Sequence, residues 1–342
     1  MRILRARRAG ASIGVVLAVV ALLAAGCAAD VPEADPADDG ADALVWTGDE
    51  VDLTDVDLAI GSKDSTEQEL LGWMAVEAAR AAGATVHPEI AAGGTAVVRQ
   101  AQLSGLIDAY WEYTGTGWTR ILQQGDPAGT SGELYEAVRD RDHELNQIEW
   151  LPPAPLNSAY AIAASPATID DLGIRTLADL ADALEDADET GPSLCVDETS
   201  GFADDPDGLR QFERAFDVSV TPGAELPTDD LYEQVDAGVF CTFGQVLNTD
   251  PRLADGSLQV LEDAGTFTIY NPSFTIREDV AEDYPEVADL VVQLAPRLTD
   301  EVMRELQAQV ELEGESARSV ARQWLQDEGL AEAPTDDGQE QG

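Results

Sequence analysis

The sequence is short of cations. Among 342 residues there are 19 Lys and Arg against 67 Asp and Glu, a formal net charge of −48, and Lys63 is the single lysine. A chain that gains affinity by displacing counterions from phosphates needs the opposite sign. A nucleic-acid partner is therefore excluded, and so is polybasic attachment to anionic lipid. Cysteine is scarce too: Cys27, Cys195 and Cys241 are too few for a disulfide scaffold or a four-cysteine zinc site. The two histidines, His87 and His143, argue against a His-rich catalytic metal centre, while a carboxylate site stays open on composition alone. Neither a metal site nor a cofactor is expected. No H-E-x-x-H pair and no Walker loop occurs, which removes the usual marks of zinc proteases and nucleotide binders.

What is present describes an exported, globular chain. At 44% apolar and 25% charged, it has room for two domains of ordinary size. Arg2, Arg5, Arg7 and Arg8 precede a short apolar run from Ile13 to Ala25. That run is too short for a settled membrane span and leads into small residues. Leu23-Ala24-Ala25-Gly26-Cys27 resembles the lipobox of bacterial lipoproteins, with Ala24 where Leu is commonest. Residues 1–26 then read as a lipoprotein signal peptide and Cys27 as the lipidated first residue, held at the extracytoplasmic face of the cell membrane by the two-chain logic of lipid anchors. Loss of the signal removes four Arg and no acid, leaving −52. Residues 27–51 read as an acidic tether, with eight acids and no base. Residues 331–342 read as a disordered acidic tail. The acidity suits a surface working in high salt; a GC-rich genome would produce the same composition.

Between 52 and 330, strand and helix signals alternate. Val56, Leu58 and Ile60 alternate with polar or small residues up to Gly61. Ser65 and Gln68 fit a capping box, and Leu70, Leu71, Met74, Ala78 and Ala82 follow at helical spacing before Gly83. A strand at 85–87, a helix opened by Gly93-Gly94-Thr95 and a strand at 106–110 complete the unit. The middle of the chain repeats the style, with strands expected at 160–163, 194–196, 238–243, 258–261 and 267–270. Helices are expected at 177–184, 208–216, 231–236, 287–294, 300–312 and 316–327. This is an α/β chain with largely parallel sheets, whose ligand loops lie beyond the carboxyl ends of strands, at 61–65, 91–95 and 111–117.

Several stretches carry the function. They are Gly61-Ser62-Lys63-Asp64-Ser65-Thr66-Glu67-Gln68, Glu112-Tyr113-Thr114-Gly115-Thr116-Gly117, Pro153-Ala154-Pro155-Leu156-Asn157-Ser158-Ala159-Tyr160, Pro206-Asp207-Gly208, Thr249-Asp250-Pro251-Arg252 and Tyr270-Asn271-Pro272. In order and spacing, from about Asp57 to Trp324, the chain resembles the substrate-binding proteins of osmoprotectant ABC importers, the glycine betaine, choline and proline betaine type. The resemblance implies a two-lobed, periplasmic-binding-protein type II-like α/β fold. Lobe 1 would comprise 52–155 and 272–330, lobe 2 would comprise 156–271, and the solute would sit in the cleft between them. It also implies delivery of a quaternary ammonium ligand to an ABC permease, with no reaction performed.

A trimethylammonium has no N–H to donate, so aromatic faces recognise it through methyl contact and cation–π attraction. Carried over residue by residue, the resemblance puts Tyr113, Tyr160 and Tyr270 in the cage. Lys63 and Thr116 would hold a ligand carboxylate. Two positions depart from the pattern. The fourth ring is replaced by Leu247, with Phe243 four residues away as a substitute if the loop is shifted. The Arg usual before Pro-Asp-Gly is replaced by Asp205, which weakens the case for glycine betaine and raises that for choline. Glu112 is expected to orient its loop, His87 and His143 to lie on the surface, and Trp73, Trp118 and Trp324 to lie in the core. Export to an oxidising compartment makes a Cys195–Cys241 disulfide the expected state. Three other readings share parts of this pattern: a choline-preferring receptor, a sensor or chemoreceptor module, and an extracytoplasmic hydrolase.

Overall fold

The computed structural model describes residues 43–125, 129–185 and 191–334. The signal peptide, Cys27 and most of the tether and tail lie outside these residues. The strands in chain order are β1 (Val45–Trp46), β2 (Asp57–Gly61), β3 (Thr85–Glu89), β4 (Ala109–Tyr113), β5 (Ile148–Trp150) and β6 (Tyr160–Ala164). Then come β7 (Leu194–Asp197), β8 (Ala224–Leu226), β9 (Phe243–Leu247), β10 (Gln259–Val260), β11 (Pro272–Arg277) and β12 (Ala331–Glu332).

Two five-stranded sheets form, ordered β3-β2-β4-β11-β5 and β10-β6-β9-β7-β8. The first sheet draws on strands between 57 and 150 and then on 272–277, so the chain leaves it, builds the second sheet and returns. Both sheets are mixed, not largely parallel. β2 runs parallel to β3 and β4, but β11 is antiparallel to β4 and β5. In the second sheet β6 is antiparallel to β9 and β10, and β7 is parallel to β8 and β9.

The first lobe is built around the helix Thr66–Ala81. Its Leu70, Leu71, Met74 and Ala78 are all fully buried. Alanines on that face let the helix Ala317–Asp327 approach closely with Val320, Ala321 and Leu325. Ser65 is the N-cap, as its sequence suggests, but its side chain makes no cap bond. Gln68 turns inward at 1% exposure instead of reaching back, so no capping box forms. At the helix's far side, buried Glu77 takes Arg318 at 2.9 Å, Arg322 at 2.6 Å and Arg80 at 3.1 Å.

The folded unit is wider than 52–330. β1 pairs with β12, Val45 opposite Glu332 and Trp46 opposite Ala331. Leu44 is buried, and Trp46 packs on the first core. Apolar Leu44, Val45 and Trp46, set in an acidic stretch, tie the two ends together, so 43–51 and 331–332, expected in the tether and the tail, belong to the folded unit.

Candidate ligand-binding site

Tyr113 ends β4, Tyr160 opens β6, and Tyr270 lies just before β11. With Thr116, Ser158 and Leu247 they line a cavity of about 300 Å³ in the cleft between the lobes. The structure therefore brings four of the five expected ligand residues to one cavity.

Local sequence explains how. β4 stops at Tyr113, and Thr114–Thr116 turns into the π-helical segment Gly117–Ile121. A Cβ on Gly115 would stand 2.6 Å from the Ile269 carbonyl oxygen and 2.8 Å from the Tyr270 ring. A Cβ on Gly117 would stand 2.5 Å from the Trp150 ring. Both glycines are thus required by close approach, the first because Tyr270 lies directly on its backbone. Two asparagines hold the linkers. Asn157 Oδ1 accepts from the Tyr270 backbone N–H at 2.7 Å, and Asn271 Nδ2 donates to the Leu156 carbonyl at 2.7 Å. The P-A-P-L-N and Y-N stretches thereby lock each other and aim Tyr270.

Each ring is also anchored. Tyr160 donates its hydroxyl to the Ser200 carbonyl at 3.0 Å and meets Phe202 edge-on, centroids 5.1 Å apart. The Tyr113 hydroxyl donates to Glu67 Oε1 at 2.5 Å. Glu67 Oε2 accepts from Thr249 at 2.6 Å. Burial raises the Glu67 pKa above the ordinary carboxylate range, while hydrogen bonds from Thr249, Tyr113 and Ser158 pull it back. Burial is likewise the main cause that lifts the phenols of Tyr113, Tyr160 and Tyr270, so all three stay neutral at physiological pH.

Lys63 is the expected ligand residue that the structure places elsewhere. It is buried behind Tyr113, its Nζ 4.6 Å from the ring centroid, and bonds Glu112 Oε1 at 2.5 Å. Glu112, fully buried, also accepts from the Tyr110 hydroxyl at 3.0 Å and the Tyr113 backbone N–H at 2.8 Å. The lone lysine is therefore spent on organising the base of the ring wall. A buried cation needs a charged partner, and Glu112 is that partner.

Leu247 stands opposite Tyr160 across the β6–β9 pair. The fourth-ring position is thus inside the cavity and aliphatic. Phe243 begins the same strand at its other end and is 0% exposed in the second-lobe core, so it supplies no substitute ring. Asp205 does line the cavity, and there it meets a residue that the sequence reading passed over. Arg120, in the π-helical segment, places Nη2 3.5 Å from Asp205 Oδ2. Its sequence signal is its spacing: four residues after Thr116, one helical turn on, it shares that residue's face. Glu67 was equally legible as chemistry only with the fold in hand, since an acid in a first helical turn ordinarily serves the dipole.

Cys195 and Cys241 are joined, with sulfurs 2.06 Å apart, inside the second lobe. The histidines lie away from the cleft. His143 Nε2 is 2.8 Å from Glu278 and 3.1 Å from Glu149, carboxylates that raise its pKa, and His87 pairs with Asp57 at 3.0 Å. Trp324 is buried, whereas Trp73 and Trp118 are only partly so. A cavity of about 400 Å³ beside Gln102, Gln147 and Arg277 is larger but has no aromatic wall.

Known proteins resemble this chain in sequence and in fold. The glycine betaine-binding protein YehZ of Escherichia coli K12 is 30% identical over 83% of this chain and 97% of its own length. A glycine-betaine-binding protein of Pseudomonas aeruginosa is 32% identical over 82% of this chain and 90% of its own. The solved structure of apo YehZ from Escherichia coli superposes with a TM-score of 0.69 at 28% identity, over 80% of this chain and 99% of that one. Residues 56–327 match the substrate-binding domain of ABC-type glycine betaine transport systems, and the chain belongs to that family.

Proposed function

We propose that the protein is the lipid-anchored, extracytoplasmic receptor of an ABC importer, binding a quaternary ammonium osmoprotectant, glycine betaine or choline, and passing it to the permease. The observation that carries this reading is the convergence of Tyr113, Tyr160 and Tyr270, from both lobes and the linker, on one cavity of about 300 Å³. Tyrosine faces supply apolar contact for methyl groups and negative quadrupole for a cation that offers no hydrogen bond. Each is worth roughly 0.5–2 kcal/mol when desolvated. Three such faces give roughly 1.5–6 kcal/mol, and methyl burial against Leu247 adds about 0.8 kcal/mol per buried carbon, toward the about −8 kcal/mol of micromolar binding.

Rings contributed by both lobes also couple binding to closure, the state a permease distinguishes from the open one. Catalysis has no part in this reading, since binding and release need only the rings and the hinge. Anchoring through Cys27 and residues 27–42 as a tether would keep the receptor at the membrane.

Calorimetric titration of the purified protein with glycine betaine and with choline tests the assignment. A dissociation constant in the micromolar range for either, weakened at least about tenfold in Tyr160→Ala, is expected. Absence of binding by both in a folded sample overturns it.

A further inference from the structure

Arg120 is the single cationic side chain lining the ring cavity among the described residues. It comes from the first lobe, and its partner Asp205 from the second. The pair is loose: Nη2 and Oδ2 are 3.5 Å apart, and the Arg120 side chain is 62% exposed. Asp205 is held independently, its Oδ1 accepting from the Asp207 backbone N–H at 2.9 Å. Lys63, the other basic residue near the rings, is committed to Glu112. A carboxylate entering this cavity meets one available guanidinium, and it is bonded only at the outer limit of hydrogen-bond distance.

We propose that Arg120 is the specificity-determining residue of the site: it exchanges Asp205 for the carboxylate of a zwitterionic trimethylammonium ligand, so the receptor selects betaines over choline. This rests on the receptor reading above. When the guanidinium moves to the ligand carboxylate, Asp205 is released beside the trimethylammonium. Four charges then alternate in sign across the cleft. Choline has no carboxylate, so Arg120 stays on Asp205 and only the rings act. The pair lies within electrostatic reach of the rings: the charges of Asp205 and Arg120 pull the Tyr160 and Tyr270 phenols in opposite directions, secondary to burial. A guanidinium also binds a carboxylate through two parallel N–H donors, a geometry that lysine lacks.

Titration of wild type, Arg120→Gln, Arg120→Lys and Asp205→Asn with glycine betaine and choline decides it. Expected is a loss of about tenfold or more for glycine betaine in Arg120→Gln, with choline changed less than about threefold. Arg120→Lys should recover part of that loss, and Asp205→Asn should weaken choline no more than glycine betaine. Equal effects of Arg120→Gln on both ligands, or none on either, overturn the proposal. Wild type that binds choline alone overturns it while leaving the receptor reading intact. Wild type that binds neither ligand removes the receptor reading itself.

Discussion

Glu67 shows how one side chain ties the ring cavity's wall to the second lobe. It sits in the first turn of Thr66–Ala81, accepts from Tyr113 on the wall of the ring cavity, and accepts from Thr249, two residues after β9 of the second sheet. A buried carboxylate that accepts two hydroxyls is stable only because both acceptor oxygens are used. Glutamine keeps the shape but offers one acceptor oxygen, so in Glu67→Gln either Tyr113 or Thr249 loses its acceptor. Glycine betaine affinity in that variant is expected to fall about three- to tenfold by calorimetry. The pH dependence has a definite sign. Burial holds the folded Glu67 pKa above the ordinary carboxylate value. Its contribution to stability is therefore complete below about pH 4.3 and is lost as pH rises through the folded value. Relative to Glu67→Gln, the wild type should be better placed at pH 4 than at pH 7. A melting-temperature difference that stays constant across that range would show that Glu67 does not titrate there.

At the scale of elements, legibility followed the number of exposed faces. β2 and β3 could be read in sequence because each has one wet side, so polarity alternates at the right period, whereas Thr66–Ala81, with no exposed residue, is legible from the spacing of its apolar residues and from Ser65 and Gly83 at its ends. β4 is buried on both faces from Ala109 to Glu112, so its apolar run has no phase, and the expected 106–110 lies three residues early. Leu106, 72% exposed, belongs to the turn after Gly105. A strand expected at 238–243 is instead the helix C-cap at Gly238, an exposed Val239-Phe240 turn and β9 at Phe243–Leu247. The segment 267–270 is not a strand. The strand is β11, hidden because Tyr270-Asn271-Pro272 looks like a turn, although proline is tolerated as a first strand residue. Tyr113, Tyr160 and Tyr270 still reached one cavity despite these errors, because their motifs locate residues by identity. The Arg120–Asp205 contact did not, because it joins two lobes 85 residues apart.

The disulfide belongs to this scale too. It fastens β7 to the approach of β9 across 46 residues, and both cysteines are fully buried. Replacing both by alanine is expected to cost roughly 2–4 kcal/mol of stability, read as a lower melting temperature. Binding at 25 °C should change little, since neither cysteine lines the cavity. An unchanged melting temperature would show that the sheet alone sets this lobe's stability.

At the scale of the whole molecule the controlling quantity is the net charge of −48. Exposed carboxylates repel each other over the Debye length, about 10 Å at 0.1 M salt and 3 Å at 1 M. Added potassium chloride should therefore raise the melting temperature by a few degrees over that range, where a chain of balanced charge would change little. The same field acts on ligands according to their total charge. Choline carries +1 and is drawn in by the acidic surface, so its affinity and association rate should fall several-fold between low and high salt as the field is screened. Glycine betaine carries no net charge. In the proposed complex its two ends are held inside the cleft, rings at one end and Arg120 at the other, where partly buried charges are screened much less than exposed ones. Its affinity should move far less over the same salt range. Paired titrations of both ligands at 0.05 M and 1 M potassium chloride measure the difference directly. Parallel slopes for the two ligands would mean that both are bound as net cations, with the betaine carboxylate left in solvent and Arg120 still paired with Asp205. A steep slope for choline beside a flat one for glycine betaine would mean that the carboxylate is held in the cleft, where a receptor working in changing salt keeps its osmolyte.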